Sequence, residues 1–116
     1  MSEDHDVELA AVSPATARAV AGTMQALATP SRVRILSRLA GSPCSVGELA
    51  AELGMEQSAV SQQLRVLRNL NLVVGERAGR HVMYALHDDH VGVLLKQAVS
   101  HSEHLRAALA GRALSA

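Results

Sequence analysis

Carboxylate and imidazole side chains form two groups near the end of this 116-residue sequence, and both kinds of side chain bind divalent metals. The first group is Asp88 with His90, and the second is His101 with His104. On a continuous helix His101 and His104 lie one turn apart on one face, so they can chelate an ion together. The mixture of nitrogen and oxygen donors suits zinc, cobalt or nickel and does not favour soft Cu(I).

The spacing between the two groups calls for a second copy of the chain. His90 and His101 are separated by about three helical turns, roughly 16 Å of rise, so no single ion can bridge them within one chain. Two such helices packed antiparallel across a twofold axis would bring the first group of one subunit against the second group of the other. The pattern predicts a homodimer with two equivalent sites. The alternative interpretation is that the histidines cluster by chance on a solvated helix and the aspartates only cap it.

The identity of the ion depends on further ligands. Tetrahedral zinc is complete with four ligands, whereas six-coordinate nickel needs more. His5, in the acidic N-terminal segment, is a candidate extra ligand and equally an idle residue of a disordered tail. If the strand continues through these residues, the side chain of His87 points to the opposite face from those of Asp88 and His90, so we predict no ligand role for it. We interpret His81 as a phosphate or solvent contact.

A second chemistry-bearing stretch is residues 54–71, with the sequence GMEQSAVSQQLRVLRNLN. If residues 56–69 are helical, Val60, Leu64 and Leu67 form an apolar stripe at three- and four-residue spacing. The opposite face then carries hydroxyl, amide and guanidinium groups, which read base edges in a major groove: Ser58, Ser61, Gln62 and Arg65. The segment is therefore predicted to be a DNA-recognition helix, with an ordinary surface helix of a bundle as the alternative.

The preceding segments supply the helices that position it. Ser13 and Thr29 are each followed by proline, which is typical of an N-cap and first helical residue. Ser45 and Glu48 have capping-box spacing, and Gly54 ends the short helix that they begin. Two short helices joined at a glycine, the second with a polar outer face, are typical of a helix-turn-helix.

Residues 72–86 change from helical periodicity to β-rich composition around a glycine and predict a hairpin. Arg77 and Arg80 lie at its tip, where they would contact phosphate or the minor groove. A last helix is predicted over about residues 89–109. The expected fold class is mainly α with a β-hairpin: a winged helix-turn-helix with four helices, two strands and a fifth helix.

Composition sets broad limits. Lys and Arg number 11, as do Asp and Glu, so the net charge is zero, although acidic residues crowd the N-terminus and arginines follow position 60. The single cysteine cannot form an intramolecular disulfide, and no apolar run or leader-like segment is apparent, so we expect a cytoplasmic protein. We divide the chain into a flexible acidic arm (1–12), a DNA-binding and dimerisation domain (13–110) and a tail (111–116).

Three motifs carry a family resemblance: ALATPSRVRILSRL, SVGELAAELGMEQSAVSQQLRVLRNLNLV and GERAGRHVMYAL. From about residue 23 to 105 the chain resembles the ArsR/SmtB family of bacterial metal-sensing repressors. Within that family it is most similar to the actinobacterial nickel and cobalt sensors, through EQSAVSQQLRVLRNL and HSEHL.

The resemblance implies a homodimer that binds a palindromic double-stranded DNA operator and releases it when Ni(II), Co(II) or Zn(II) binds between the fifth helices. It implies that Asp88, His90, His101 and His104 are the ligands. The residues assigned to DNA contact are Gln57, Ser58, Ser61, Gln62, Gln63 and Arg65, together with Arg77 and Arg80 of the wing.

Two other functions compete with this interpretation. A metal-dependent hydrolase would need a general base, a nucleophile motif and a substrate cleft, none of which is apparent in this sequence, so we predict no enzyme. A winged-helix regulator without metal sensing, controlled by a protein partner, remains open because the acidic arm could serve such a partner. Cys44 is displaced from the cysteine pair used by other family members, which argues against arsenic or cadmium sensing by thiolates.

Overall fold

The computed structural model describes residues 8–115, and it describes side chains as far as residue 112. Within that range the chain forms five α-helices, a short 3-10 turn and a three-stranded antiparallel sheet, which confirms the winged-helix prediction. The elements in order are the 3-10 turn Leu9–Ala11, α1 Pro14–Ala26, α2 Pro30–Gly41, β1 Cys44–Ser45, α3 Val46–Leu53, α4 Gln57–Asn69, β2 Val73–Ala78, β3 His81–Leu86 and α5 Asp89–Ser115.

The helix starts are fixed by the side chains that the sequence indicated. The hydroxyl of Ser13 accepts a hydrogen bond from the amide of Thr16 at 3.1 Å, and each of α1 and α2 begins at a proline. At α3 the capping box is complete, because Ser45 Oγ accepts from the Glu48 amide at 3.2 Å and Glu48 Oε1 accepts from the Ser45 amide at 3.0 Å. These bonds satisfy amides that have no partner inside a helix.

The core lies where α2, α3 and α4 meet the sheet and the first turns of α5. Its largest fully buried side chains come from successive elements: Ile35, Leu36, Cys44, Leu49, Val60, Leu64, Leu67 and Val73. Val91 and Leu95 join them from α5. Burying each such aliphatic side chain contributes about 1.5–3 kcal/mol, so this core fixes the orientation of α4. Tyr84 packs against it as a partly buried aromatic side chain.

The sheet has the order β1-β3-β2, and the strand β1 was not predicted. Cys44 pairs with Tyr84 of β3, so β1 joins the hairpin to the rest of the domain. At the outer end Ala78 pairs with His81, leaving Gly79 and Arg80 as a two-residue turn. Gly79 has φ +65°, as a type II′ turn requires at its first central residue, so the wing is a tight hairpin.

Two helices extend beyond this core. In α1, which ends at Ala26, that last residue is the buried one, whereas Val20 and Met24 are 46% and 48% exposed. The second half of α5 likewise leaves Leu105 and Leu109 about half exposed. Exposed aliphatic faces of this kind are typical of protein interfaces.

The ends of the chain differ in part from the predicted division. The 3-10 turn Leu9–Ala11 lies inside the segment predicted as a flexible arm, and α5 continues to Ser115, past the predicted end near Leu109. The division into arm, domain and tail itself stays a prediction. No helix within residues 8–115 is both long and apolar enough to cross a lipid bilayer.

Candidate DNA interface and metal-ligand cluster

The recognition helix α4 has the two faces expected from its sequence. Val60, Leu64 and Leu67 are completely buried. On the other side the exposed side chains of the predicted set are Gln57, Ser58, Gln62 and Arg65, while Ser61 is half-buried at the edge of this face. Helix α4 therefore presents a polar surface held in place by the core beneath it.

The turn before α4 is short and well defined. Gly54 has φ +64°, and the amides of Gly54 and Met55 both bond to the carbonyl of Ala50. This left-handed ending of α3 reverses the chain within three residues, so that α3 and α4 form the predicted helix-turn-helix.

Gln63 has a hydrogen-bond partner inside the protein. It was grouped with the base-reading residues, but it is half-buried and its Oε1 accepts a hydrogen bond of 2.9 Å from Nε of Arg32 in α2. The physical reason is the helical period, because residue 63 lies one turn after buried Val60 and next to Leu64. Its carboxamide oxygen is thus engaged inside the protein rather than turned outward with Gln62.

The wing carries the two predicted arginines on exposed backbone. Arg77 lies in β2 opposite Val82, one pair from the end of the hairpin, and Arg80 is in the turn itself. Both side chains and that of neighbouring His81 are exposed. The arrangement provides positive charge at the tip of a rigid hairpin, which is suited to phosphate contact.

The end of α4 is tied to the start of α5 by backbone hydrogen bonds that were not predicted from the sequence. Asn71 has φ +61°, and the amide of Leu72 bonds to the carbonyl of Leu67 at 2.9 Å. The carbonyl of Leu72 in turn accepts from the amide of His87 at 2.9 Å. An asparagine just after a helix favours the left-handed ending, so Asn71 could have been predicted to end α4 in this way. The hydrogen bond to His87 joins residues far apart in the sequence and could not be predicted from neighbouring residues.

Asp88 is the centre of the first predicted ligand group. One of its carboxylate oxygens accepts from the amide of His90 at 2.9 Å, which caps α5, and the same oxygen lies 3.4 Å from His90 Nδ1. Its other oxygen lies 3.3 Å from Nδ1 of His87. The hydrogen bond with His87, helped by that from the His90 amide, lowers the pKa of the Asp88 carboxyl despite slight desolvation, so it is ionised at neutral pH.

The side chain of His87 does not follow the strand alternation on which its exclusion depended. Alternation does not apply to residues 87 and 88, because β3 ends at Leu86 and α5 begins at Asp89. His87 and Asp88 lie in the bend between them, where their side chains are in contact. The side chains of both residues are about half exposed, at 46% and 44%.

His101 and His104 lie on α5, exposed and one turn apart as predicted. Within residues 8–115 of a single chain, no three side chains of the His, Cys, Asp and Glu types come together as a metal site. His5 lies outside the described residues. The donors are of types that suit a divalent metal, since an ionised carboxylate lies beside an imidazole and a second pair of imidazoles lies one helical turn apart.

Cys44 is buried beneath a partly exposed ion pair formed by Arg38 and Glu52. The Cys44 thiol contacts Glu52 Oε2 at 3.7 Å, and Glu52 is also held by Arg38 Nε at 2.9 Å. Burial raises the pKa of the Cys44 thiol, although Arg38 acts in the opposite sense. A buried protonated thiol is a poor metal ligand or nucleophile.

Comparisons with known proteins agree with this architecture. The model of the arsR family of bacterial regulatory proteins matches residues 29–74, which span α2 through the start of β2. The HTH-type transcriptional regulator NmtR of Mycobacterium tuberculosis is 61% identical over 97 residues, covering 84% of this chain and 81% of that protein.

Solved structures give the same result. The solution structure of apo-NmtR superimposes with a TM-score of 0.72 at 55% identity, covering 90% of this chain and 87% of the other. The antimony-specific transcriptional repressor AntR superimposes with a TM-score of 0.76 at 29% identity, covering 92% and 96%. Taken with the helix-turn-helix and basic wing, these findings show that the chain is a DNA-binding transcriptional regulator, not an enzyme, and that it belongs to the ArsR family.

Proposed function

We propose that this protein acts as a homodimer on a palindromic operator, and that Ni(II) or Co(II), with Zn(II) as the alternative ion, binds between the two α5 helices and lowers operator affinity. One observation carries the proposal. The same chain holds an exposed polar face on α4 and two pairs of candidate metal ligands, one at the start of α5 and one along it, which do not come together within residues 8–115 of one chain.

The DNA contacts are assigned by chemistry and exposure. Gln62 and Arg65 carry the forked groups that pair with adenine and guanine edges, and both are exposed on α4. The shorter or flanking groups are Gln57, Ser58 and Ser61. Arg77 and Arg80 contact the phosphate backbone from the wing, which adds affinity without sequence preference. Gln63 stays a candidate contact through its amide nitrogen, because Arg32 bonds only its carboxamide oxygen.

The metal ligands are assigned to two subunits. Asp88 and His90 of one subunit, already in contact with one another, complete a site with His101 and His104 of the other. An ion held there would supply a cross-link between the subunits. For an ion with six ligands, His5 and His87 are the candidates for the additional positions, and His87 is supported by its contact with Asp88.

A short backbone path connects this site with the DNA-reading helix. Asp88 follows His87 directly, and the His87 amide donates to the carbonyl of Leu72, three residues after the end of α4. A change in the bend at residues 87–88 therefore alters a hydrogen bond that fixes the C-terminal end of α4. A coupling of about 3 kcal/mol between the two sites would change operator affinity about 150-fold.

The test compares operator affinity with and without Ni(II) in three proteins. The double variant His101→Ala with His104→Ala should bind operator like the wild type but no longer respond to metal. Glu103→Gln, an exposed carboxylate between the two histidines that pairs only loosely with Arg106 at 3.8 Å, is the matched control and should respond normally. Metal-insensitive operator binding by the wild type would instead favour a regulator controlled by a protein partner.

A further inference from the structure

The guanidinium of Arg32 lies between the end of α1 and the recognition helix α4. Its Nε donates to Gln63 Oε1 at 2.9 Å, and its Nη1 donates to the carbonyl of Ala26 at 3.2 Å. The backbone of Arg32 is fixed as well, because its amide donates to the capping hydroxyl of Thr29 at 3.2 Å. One partly buried side chain therefore bridges three elements.

The carbonyl of Ala26 has no hydrogen-bond partner within its own helix, so Arg32 supplies one. The carbonyl of Ala26 is among the last four of α1, which accept no hydrogen bond from within the helix, and it lies at a buried residue. Arginine presents its donors in a rigid plane, so it holds both acceptors in a fixed mutual position, whereas a lysine ammonium has no such fork. Movement of the Ala26 carbonyl would therefore shift the guanidinium and with it Gln63.

The rest of α1 makes its orientation sensitive to assembly. Ala26 and Leu27 are buried, which anchors the end of the helix, while Val20 and Met24 further back are about half exposed. A second copy that covers this aliphatic face would set the direction of the helix about its anchored end. Arg32 lies at that pivot.

We propose that Arg32 is a positioning residue that couples the orientation of α1 in the dimer to the rotation of α4, through its hydrogen bond with Gln63. Gln63 neighbours Gln62, so a rotation that moves one moves the other relative to the groove. This inference rests on the proposed function, since it describes how the geometry of the dimer reaches the base-reading face.

Two substitutions remove the bridge with little other change. Arg32→Lys keeps the positive charge but removes the fork, and Gln63→Met keeps the length but removes the acceptor. Arg34→Lys is the matched control, because Arg34 also lies on α2 and donates to a backbone carbonyl, but to that of Leu53 at the end of α3, at 2.9 Å.

The first readout is the ratio of operator dissociation constants with and without Ni(II), measured by fluorescence anisotropy. Arg32→Lys and Gln63→Met should each reduce this ratio by about 2- to 30-fold, and the double variant should reduce it no further than one of them. Ni(II) affinity of the DNA-free protein should stay at the wild-type value, and Arg34→Lys should match the wild type in every quantity measured. Variants that only lower the Tm and keep the wild-type ratio would show a structural role and overturn the proposal.

The second readout needs neither metal nor DNA. The amides of Leu27 and Ala28 bond to the carbonyls of Met24 and Gln25, and their hydrogen exchange reports on the end of α1. In Gln63→Met we expect faster exchange at these amides, on the far side of Arg32. Exchange that changes only in α4 would overturn the coupling. A wild type without any metal response would refute the proposed function, and this readout would still decide the role of Arg32.

Discussion

We expect substitution of Arg80 by glutamine to weaken DNA binding through phosphate contacts alone. Arg80 is exposed in the two-residue turn of the wing, and a homodimer carries it twice. Each neutralised phosphate contributes about −0.9 to the slope of log affinity against log salt, so removing both arginines should make the slope less steep by about 1.8. Because phosphate contacts carry no sequence information, operator and random duplex should bind more weakly by the same factor.

The assay is a titration of labelled operator and of a scrambled duplex at several salt concentrations. Arg112→Gln, which removes the same charge from an exposed position in the last turn of α5, is the matched control and should keep the wild-type slope. Adding Arg77→Gln to Arg80→Gln should roughly double the effect. An unchanged slope in the Arg80 variant, or weakening confined to the operator, would refute the assignment of the wing to phosphate contact.

Three further outcomes follow from the described side chains. Replacing Gln62 and Arg65 by alanine should weaken operator binding by about 1–3 kcal/mol for each base-reading side chain while random duplex is bound nearly as before, as a competition titration would reveal. Ser45→Ala should lower the free energy of unfolding by about 0.5–2 kcal/mol in chemical denaturation, because it removes the capping box of α3. The hydrogen bond with Arg38 lowers the pKa of Glu52, so that pair stabilises the fold above the unfolded pKa of the carboxyl. Glu52→Gln should therefore lower the Tm at pH 7, and the difference from the wild type should disappear as the pH falls through the folded pKa.

The helices could be predicted from the sequence because their determinants are local. Ser13, Thr29 and the Ser45–Glu48 box each act within three residues, and the stripe on α4 follows from the helical period. The tight hairpin is likewise encoded by Gly79 at its turn. Local hydrogen bonds and periodic burial are thus enough to derive the winged helix.

The parts that escaped prediction depend on contacts between distant residues. Strand β1 has only two residues and exists because Cys44 meets Tyr84 of β3. The inward position of Gln63 depends on Arg32 of α2, and the contact between His87 and Asp88 depends on where β3 stops. For the candidate metal site, the sequence supplied ligand types and their spacing along α5, but the position of the second subunit is not encoded within a few residues of any ligand.

The most direct test of the cross-subunit metal site uses mixed dimers. One subunit carries Asp88→Ala with His90→Ala, and the other carries His101→Ala with His104→Ala. In a homodimer of either variant both sites lack half of their ligands. In the mixed dimer one site lacks all four ligands, and the other keeps all four.

Cobalt(II) titration followed by visible absorption, with the wild type as reference, measures the number of intact sites. We predict two ions per wild-type dimer, none at this site in either variant homodimer, and one in the mixed dimer. A mixed dimer that binds no cobalt while the wild type does would place all the ligands of a site in one chain. Full binding by either variant homodimer would show that other residues hold the ion, and both results would contradict the proposed arrangement of the α5 helices.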